Sequence, residues 1–357
     1  MATARERARC RERLEQLSGS GLDCDSLRRE AVGDLQRVIG FDRWCWPLAD
    51  PESLLPASGI AQHDYVPAVS RSLELEYSTD RFAAKHLLAR RANAAASMSA
   101  ETHGDLSRSP RWDEAMRPVG IGDVAAVACR DALGCWGWIE AYRDRSDRSF
   151  EDEDLELLAS VGPSLGSALR RTMYDDGPAS TEEPQGPGVI VLDHALKPVS
   201  STAAARSWLD SLPGARMLAP IGMLPSVIYP AAATARTETS PAGTHAIVQA
   251  VDRRWVRVEA ARLEGHDDGQ IAVTLRAATA TETLHLLCRA YALSQRERQV
   301  VAAAIAGLDT GAIADRLFIS RYTVQDHLKS VFTKTGLRSR RELIARFSGG
   351  SATASTT

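Results

Sequence analysis

The segment from Arg321 to Lys334 carries residues whose types and spacing suit a defined chemistry. Its predicted helix presents Gln325, Asp326 and Lys329 on one polar face. A glutamine amide can form two hydrogen bonds with adenine N6 and N7, and an aspartate can accept one from cytosine N4. Lys329 lies one turn beyond Gln325, where it can reach a guanine or a phosphate. Such side chains can form hydrogen bonds with nucleic-acid bases, although Asp326 could instead repel phosphate and reject competing sites.

Sequence signals divide residues 284–347 into four short helices that must hold this face in place. Residues suited to capping or ending a helix punctuate the segment at Ser294, Gly307, Asp309, Ser320, Gly336 and Ser339. The third helix has an inward apolar stripe of Val324, Leu328 and Val331 at i, i+4, i+7 spacing. This array predicts a helix-turn-helix, although periodicity alone fits any small helical bundle.

Charge is distributed unevenly along the chain. The 357 residues carry a net charge of −3, with 43 lysines and arginines against 46 aspartates and glutamates. Residues 284–347 contain 11 basic and 5 acidic side chains, and the remaining residues contain 32 and 41. A basic module on an acidic body is typical of nucleic-acid binding. On charge alone, a solvated basic face explains the pattern equally well.

The same segment resembles the LuxR-type helix-turn-helix of bacterial transcription regulators. The matching positions are Leu293, Arg296, Glu297, Gly307, Ile313, Ala314, Leu317, Ile319, Ser320, Thr323, Val324, His327, Leu328, Lys334, Gly336, Arg340 and Leu343. The resemblance implies that the helix from Arg321 to Lys334 lies in the major groove. The DNA-binding candidates are then Ser320, Arg321, Thr323, Val324, Gln325, Asp326, Lys329, Lys334, Arg338 and Arg340.

Two further expectations follow from this resemblance. The family's final helix pairs two copies, so Leu343, Ile344 and Phe347 would form a dimer face, or instead close the domain's own core. Gln325 and Gly311-Ala312 depart from the family, which often has a lysine and a lysine-glutamate pair there. We therefore expect weaker phosphate attraction and the loss of a stabilising ion pair.

The rest of the chain lacks the sequence patterns of common active sites. It has no P-loop, no His-Glu-x-x-His and no Gly-x-Ser-x-Gly, and its six cysteines form no Cys-x-x-Cys pair. We expect no catalytic residues, no metal site and no cofactor, although His63, His86 and His103 or a Cys129–Cys135 redox pair are minor alternatives. Without a long apolar run or a signal-peptide pattern, the sequence predicts a cytoplasmic protein with no membrane partner.

Residues 21–174 resemble a GAF sensor domain. The predicted elements are helices at 27–39 and from 148 to 171, and strands at 44–48, 123–130 and 134–143. Alternation in the last strand places Trp136, Trp138, Glu140 and Tyr142 on one face. Trp136, Trp138 and Tyr142 are therefore candidates to line a ligand pocket, or they pack beneath helices.

Residues 189–277 resemble a PAS-like domain. The predicted elements are strands at 188–193, 244–251, 254–263 and 270–276 and a helix at 201–209, with an irregular stretch at 213–241. The asparagine usual at the start of PAS domains is absent. The predicted fold is α+β, divided into a charged helix (1–20), a GAF-like domain (21–174), a linker (175–188), a PAS-like domain (189–277), the helix-turn-helix domain (284–348) and a disordered tail (349–357).

The function predicted from these features is that of a sequence-specific transcription regulator. It would bind double-stranded DNA as a homodimer, sense an unknown small-molecule signal through its body, and contact RNA polymerase if it is an activator. Alternatives are a sigma-factor-like promoter-recognition protein, a body that only dimerises, and an enzyme tethered to DNA.

Overall fold

The computed structural model describes residues 2–62, 66–174, 186–237, 244–265 and 269–347. These residues form two α+β domains, each with a five-stranded antiparallel sheet, followed by a helical domain. His63, residues 175–185 of the linker predicted at 175–188, and the predicted tail at 349–357 lie outside the described residues; the predicted end of the linker at 188 is wrong, because Gly188 begins a strand. None of the described helices is long and apolar enough to span a membrane.

The first domain combines the N-terminal helices with the first sheet. Its elements are α1 (Ala4–Leu17), α2 (Cys24–Ile39), β1 (Arg43–Ala49), β2 (Pro56–Gln62), α3 (Val66–Glu76), α4 (Lys85–Leu88), β3 (Ala95–Ser97), α5 (Met98–Glu101), β4 (Ile121–Asp131), β5 (Gly134–Asp144) and α6 (Asp152–Thr172). The strand order is β2-β1-β5-β4-β3. Helix α1 packs on α6 and buries Cys10 and Leu14 in the same core, so it forms part of this domain.

Helix α6 covers one face of the first sheet at close range. Its inward stripe includes Leu158, Leu165 and Leu169, each almost fully buried, which contributes about 1.5–3 kcal/mol per side chain to stability. Two glycines allow the close approach: a Cβ atom on Gly166 would lie 2.5 Å from the Arg130 nitrogen, and one on Gly162 would lie 3.0 Å from the Ala128 oxygen. The predicted helix is confirmed but begins at Asp152 rather than at 148, and its stripe is confirmed apart from a partly exposed Leu155.

A bulge in β5 makes one sequence prediction wrong. Cys129 pairs with Gly137 and Arg130 pairs with Cys135, so Trp136 is an extra residue in the ladder. Trp136 consequently lies in the core beneath α6, whereas Trp138 packs in a different cluster. The prediction that Trp136 shares a face of the strand with Trp138, Glu140 and Tyr142 is therefore wrong for Trp136.

The second domain repeats the strand order of the first. Its elements are β6 (Gly188–Leu192), β7 (Pro198–Ser201), α7 (Ala203–Ser211), α8 (Ala215–Leu218), α9 (Ile228–Thr237), β8 (Thr244–Gln249), β9 (Trp255–Arg262) and β10 (Ile271–Ala277). The sheet order is β7-β6-β10-β9-β8. The stretch predicted to be irregular contains α9, which is buried on nearly all sides and so lacks the apolar–polar periodicity that marks a surface helix.

The two domains are joined by specific polar contacts. Asp50, in the turn after β1, accepts a hydrogen bond from the Ile247 backbone nitrogen at 2.8 Å. Arg236 on α9 donates to the Glu74 carboxylate on α3 at 2.6 Å. Burial raises the pKa of Asp50, opposed by the backbone donors of Ile247 and Glu52. The Ile247 donor ties this buried carboxylate to the second domain, and the Glu52 donor holds it within its own turn.

The C-terminal domain contains five helices. They are α10 (Ala280–Ala290), α11 (Gln295–Ile305), α12 (Thr310–Leu317), α13 (Arg321–Thr335) and α14 (Arg340–Phe347). The last four confirm the sequence prediction, and α10 is an addition that begins with a capping box of Thr279 and Glu282. Helix α10 connects this domain to the body, because Arg289 donates to the Pro51 oxygen at 2.9 Å and Arg170 donates to the Ala290 oxygen at 2.8 Å.

Candidate nucleic-acid interface

The polar face of α13 is held outward by the turn before it and the core beneath it. Phe318 adopts a left-handed conformation with φ of 55°, which reverses the chain between α12 and α13. The Ser320 hydroxyl then caps α13 by accepting from the Thr323 nitrogen at 3.0 Å. Val324, Leu328 and Val331 pack into the domain core. The opposite side of α13 is consequently fixed toward solvent.

Three side chains on that side are free to meet a ligand. Gln325, Asp326 and Lys329 are exposed, and no hydrogen bond or ion pair engages their side chains among the described residues. Their i, i+1, i+4 spacing places them on one strip of the helix. An amide, a carboxylate and an ammonium group in this arrangement offer both donors and acceptors to base edges.

Sequence reasoning missed Tyr322 in this strip. Its side chain is 73% exposed, and it precedes Gln325 by three residues and Asp326 by four. Residues at these spacings share a helix face, so Tyr322 extends the strip to the start of α13. Tyr322 stands at the i position of an i, i+3, i+4, i+7 pattern that continues with Gln325, Asp326 and Lys329, and this helical spacing could have identified it. Phe318, 94% exposed, lies in the preceding turn.

The other residues predicted to contact DNA differ in their exposure and in their hydrogen bonds. Val324 is fully buried, so its expected contact with DNA is wrong. Arg340 donates to the Leu308 backbone oxygen and thereby braces the loop after α11. Arg338 is exposed. Arg321 is exposed as well, and its guanidinium lies so close to Gly311 that a Cβ atom there would be 2.9 Å from Nη2.

Lys334 belongs to an internal ion-pair network. Its ammonium donates to both carboxylate oxygens of Glu297, at 2.6 and 2.9 Å. The same carboxylate accepts from the Ser330 hydroxyl at 2.6 Å and from the Ser294 nitrogen at 2.6 Å. Burial alone would raise the pKa of Glu297, but these donors outweigh it and lower the pKa to about 2. The network joins the start of α11 to the end of α13.

The final helix closes the core of its own domain. Leu343 and Phe347 are fully buried, and the Thr283 hydroxyl on α10 donates to the Phe347 oxygen at 2.7 Å. Ile344 is half-buried. Of the two interpretations of this apolar face, the structure supports the closed core for Leu343 and Phe347, because neither side chain is accessible to a second copy.

The body offers no open pocket at the predicted aromatic residues. Trp136, Trp138 and Tyr142 are each at most 4% exposed, in agreement with the alternative that they pack beneath other elements. Beside Trp138 and Tyr142 on β5, Glu140 faces the buried Lys85 ammonium at 2.9 Å.

A compact charged cluster occupies this side of the sheet. Lys85 also pairs with Glu76, whose carboxylate lies 3.0 Å from Arg111. Burial would raise the pKa of Glu76, but the charges of Lys85 and Arg111 lower it to about 2. The space at this side of β5 is thus filled by protein side chains.

The cysteines and histidines form no reactive group among the described residues. Cys129 and Cys135 lie in separate core clusters on the two faces of the sheet. Burial raises the pKa of Cys135 to about 12, which disfavours its reactive thiolate. In the part of the chain that the structure describes, no three metal-ligating side chains come together.

Comparison with known proteins identifies the helical domain. Residues 291–347 match the family described as bacterial regulatory proteins, luxR family. The search of curated proteins gives no match. Similar solved structures include the far-red absorbing dark state of JSC1_58120g3 with bound biliverdin IXa, at 14% identity and a TM-score of 0.29, covering 46% of this chain and 99% of that chain. Another is the phage VqmA–DPO complex, at 14% identity and a TM-score of 0.18, covering 46% and 83%.

Proposed function

We propose that this chain, whose residues 291–347 form a LuxR-type helix-turn-helix domain, is a sequence-specific DNA-binding transcription regulator. The observation that carries the proposal is the exposed strip of Tyr322, Gln325, Asp326 and Lys329 on α13. Such a strip fits the width of the major groove and can distinguish base pairs there. In this proposal Gln325 and Asp326 read bases, and Lys329 contacts a base or a phosphate.

The surrounding polar groups support positioning on the DNA backbone. Ser320, Arg321 and Thr323 lie beside the strip at the N-terminus of α13, where the helix dipole favours phosphate, and Arg338 is exposed in the turn after α13. Lys334 and Arg340 have internal partners, so we assign them to holding the domain together. The proposed contact surface is thus smaller than the one predicted from sequence.

Two copies acting together would complete the mechanism. A single recognition helix reads only a few base pairs, and helix-turn-helix proteins gain specificity by placing two helices on half-sites about one turn apart. We propose a homodimer on DNA, held by a surface other than the buried side chains of α14. The body would sense a signal and alter the spacing of the two recognition helices.

The test is selection of bound duplexes from a random library with the full chain. Wild type should enrich one motif, and Gln325→Ala should relax the preference at defined positions. Lys329→Met should weaken binding to the selected motif. Arg29→Gln, which removes an exposed charge on α2, is its charge-matched control and should leave selection unchanged. Failure of the wild-type chain to enrich any motif contradicts the proposal, and the mass of the complex on the selected duplex reports its stoichiometry.

A further inference from the structure

A cavity of about 570 Å³ lies between the two body domains. Tyr77 and His86 line it from the first domain, and Thr234, Thr244 and His245 line it from the second. This volume falls within the range of small-molecule sites, which occur preferentially at domain interfaces. The rings of Tyr77 and His86 lie 5.0 Å apart and form part of its wall.

Three polar atoms at this cavity lack a hydrogen-bond partner within the described residues. They are His86 Nδ1, Thr234 Oγ1 and Thr244 Oγ1, and all three are buried. Buried polar atoms of this kind are normally paired. Rotation about χ1 of either threonine exchanges its hydroxyl and methyl positions, so small side-chain motions would turn the two hydroxyls toward a bound molecule.

The charged side chains of the wall differ in their burial: Glu52, Arg81 and Arg90 are exposed to solvent, whereas Glu76 and Asp80 are buried. Glu76 pairs with Lys85 and Arg111. The Asp80 carboxylate accepts from the Ser109 hydroxyl and from the backbone nitrogens of Arg111 and Phe82. Burial lowers the pKa of His86, which favours its neutral ring with one donor and one acceptor. The buried groups of the wall that lack a hydrogen-bond partner among the described residues are therefore two hydroxyls and an imidazole nitrogen, and the two arginines of the wall are exposed to solvent.

We propose that this cavity binds a small uncharged molecule that carries several hydrogen-bond donors and acceptors, of the sugar or nucleoside class. The molecule pairs with His86, Thr234 and Thr244 and thereby touches both body domains at once. The proposal rests on the proposed regulatory function only where it treats the bound molecule as a signal. Binding itself requires no DNA.

The experiment measures compound binding by the full chain. The probes are neutral monosaccharides, polyols and nucleosides, with uronic acids and nucleoside monophosphates as charged counterparts. At least one neutral probe should raise the thermal midpoint of wild type, and the charged counterparts should not. In the Thr234→Val/Thr244→Val variant, calorimetric affinity for that probe should fall by roughly ten-fold or more, because two hydrogen bonds are lost.

A measurement without compound tests the premise. Valine has the shape of threonine without its hydroxyl, so replacing two unpaired hydroxyls should leave the thermal midpoint unchanged or raise it. A lower midpoint shows that the hydroxyls already have partners and overturns the proposal. The proposal is equally overturned if no neutral probe binds, if the valine variant binds as well as wild type, or if charged probes are preferred.

The proposal that the chain binds DNA is tested independently of the proposal that the cavity binds a compound. DNA affinity of the valine variant, measured without compound, should equal that of wild type. Gln325→Ala should bind the compound normally while its DNA preference is relaxed. A chain that binds the compound but selects no DNA motif refutes only the regulatory function.

Discussion

Replacing Lys334 by methionine should weaken the C-terminal domain and leave its contacts with DNA intact. The substitution removes the ammonium group from the Glu297 carboxylate, whose side chain is only 5% exposed, whereas that of Lys334 is 36% exposed. A hydrogen bond to a charged group contributes about 1.5–3 kcal/mol. Since Lys334 is partly solvated, we take about 2 kcal/mol, near the low end of that range, as the expected loss.

The loss should depend on pH in a defined direction. The pKa of Glu297 falls from an ordinary 4.5 to about 2 in the folded domain. A depressed folded pKa gives stability that is fully present above about pH 4.5 and disappears as the pH falls toward 2. In Lys334→Met the folded pKa moves back toward its ordinary value. The stability difference between wild type and variant should therefore shrink across this window.

Hydrogen exchange of amides in α11 and α13 measures the effect in the intact chain, because it reports opening of this domain separately from the others. Lys329→Met is the matched control: it makes the same charge change at an exposed, unpaired position. The amides of this control should exchange like those of wild type, but the control should bind DNA more weakly. The slope of its log affinity against log salt concentration should be smaller by about one, because one phosphate contact is lost. If Lys334→Met instead exchanges like wild type and shows that smaller salt dependence, Lys334 contacts phosphate and our reasoning is wrong.

Three further substitutions test the interface and the core. Gln325→Ala should cost about 1–3 kcal/mol on the preferred duplex and much less on one altered at the base pair it reads, as measured by fluorescence anisotropy. Tyr322→Phe, which removes only the hydroxyl, should weaken DNA binding by about 1 kcal/mol on every sequence if that hydroxyl meets a phosphate; an unchanged affinity contradicts this contact. Phe347→Ala should destabilise the C-terminal domain by about 3–5 kcal/mol, seen as faster exchange in α10 and α14; normal exchange with an altered oligomeric state would restore the dimer-face interpretation.

Local signals account for what the sequence predicts well. Ser294, Asp309 and Ser320 cap α11, α12 and α13 as expected, because a cap depends on residues within three positions of it. The same kind of signal is present for α10, where Thr279 and Glu282 form a capping box. The alanines and threonines around that box resemble a connecting segment, which hides the helix from a composition-based prediction. The capping pair itself is sufficient to predict it.

The sequence predictions are wrong where residues far apart in the sequence determine the local structure. The bulge that turns Trp136 toward α6 depends on how β5 pairs with β4, which alternation along β5 alone does not reveal. Lys334 has the charge of a phosphate contact, but Glu297 lies 37 positions away in sequence and takes its ammonium group. The cavity likewise has walls from two domains, so no single segment carries its pattern.

The turn after β1 links this cavity to the DNA-binding domain. Asp50 holds the second domain through the Ile247 nitrogen, and the next residue, Pro51, accepts from Arg289 at the end of α10. The following residues, Glu52 and Ser53, line the cavity. Four consecutive residues thus contact the second domain, the C-terminal domain and the cavity wall. A molecule that moved the backbone of Glu52 or Ser53 would therefore also strain the neighbouring contact between Pro51 and Arg289 that holds α10.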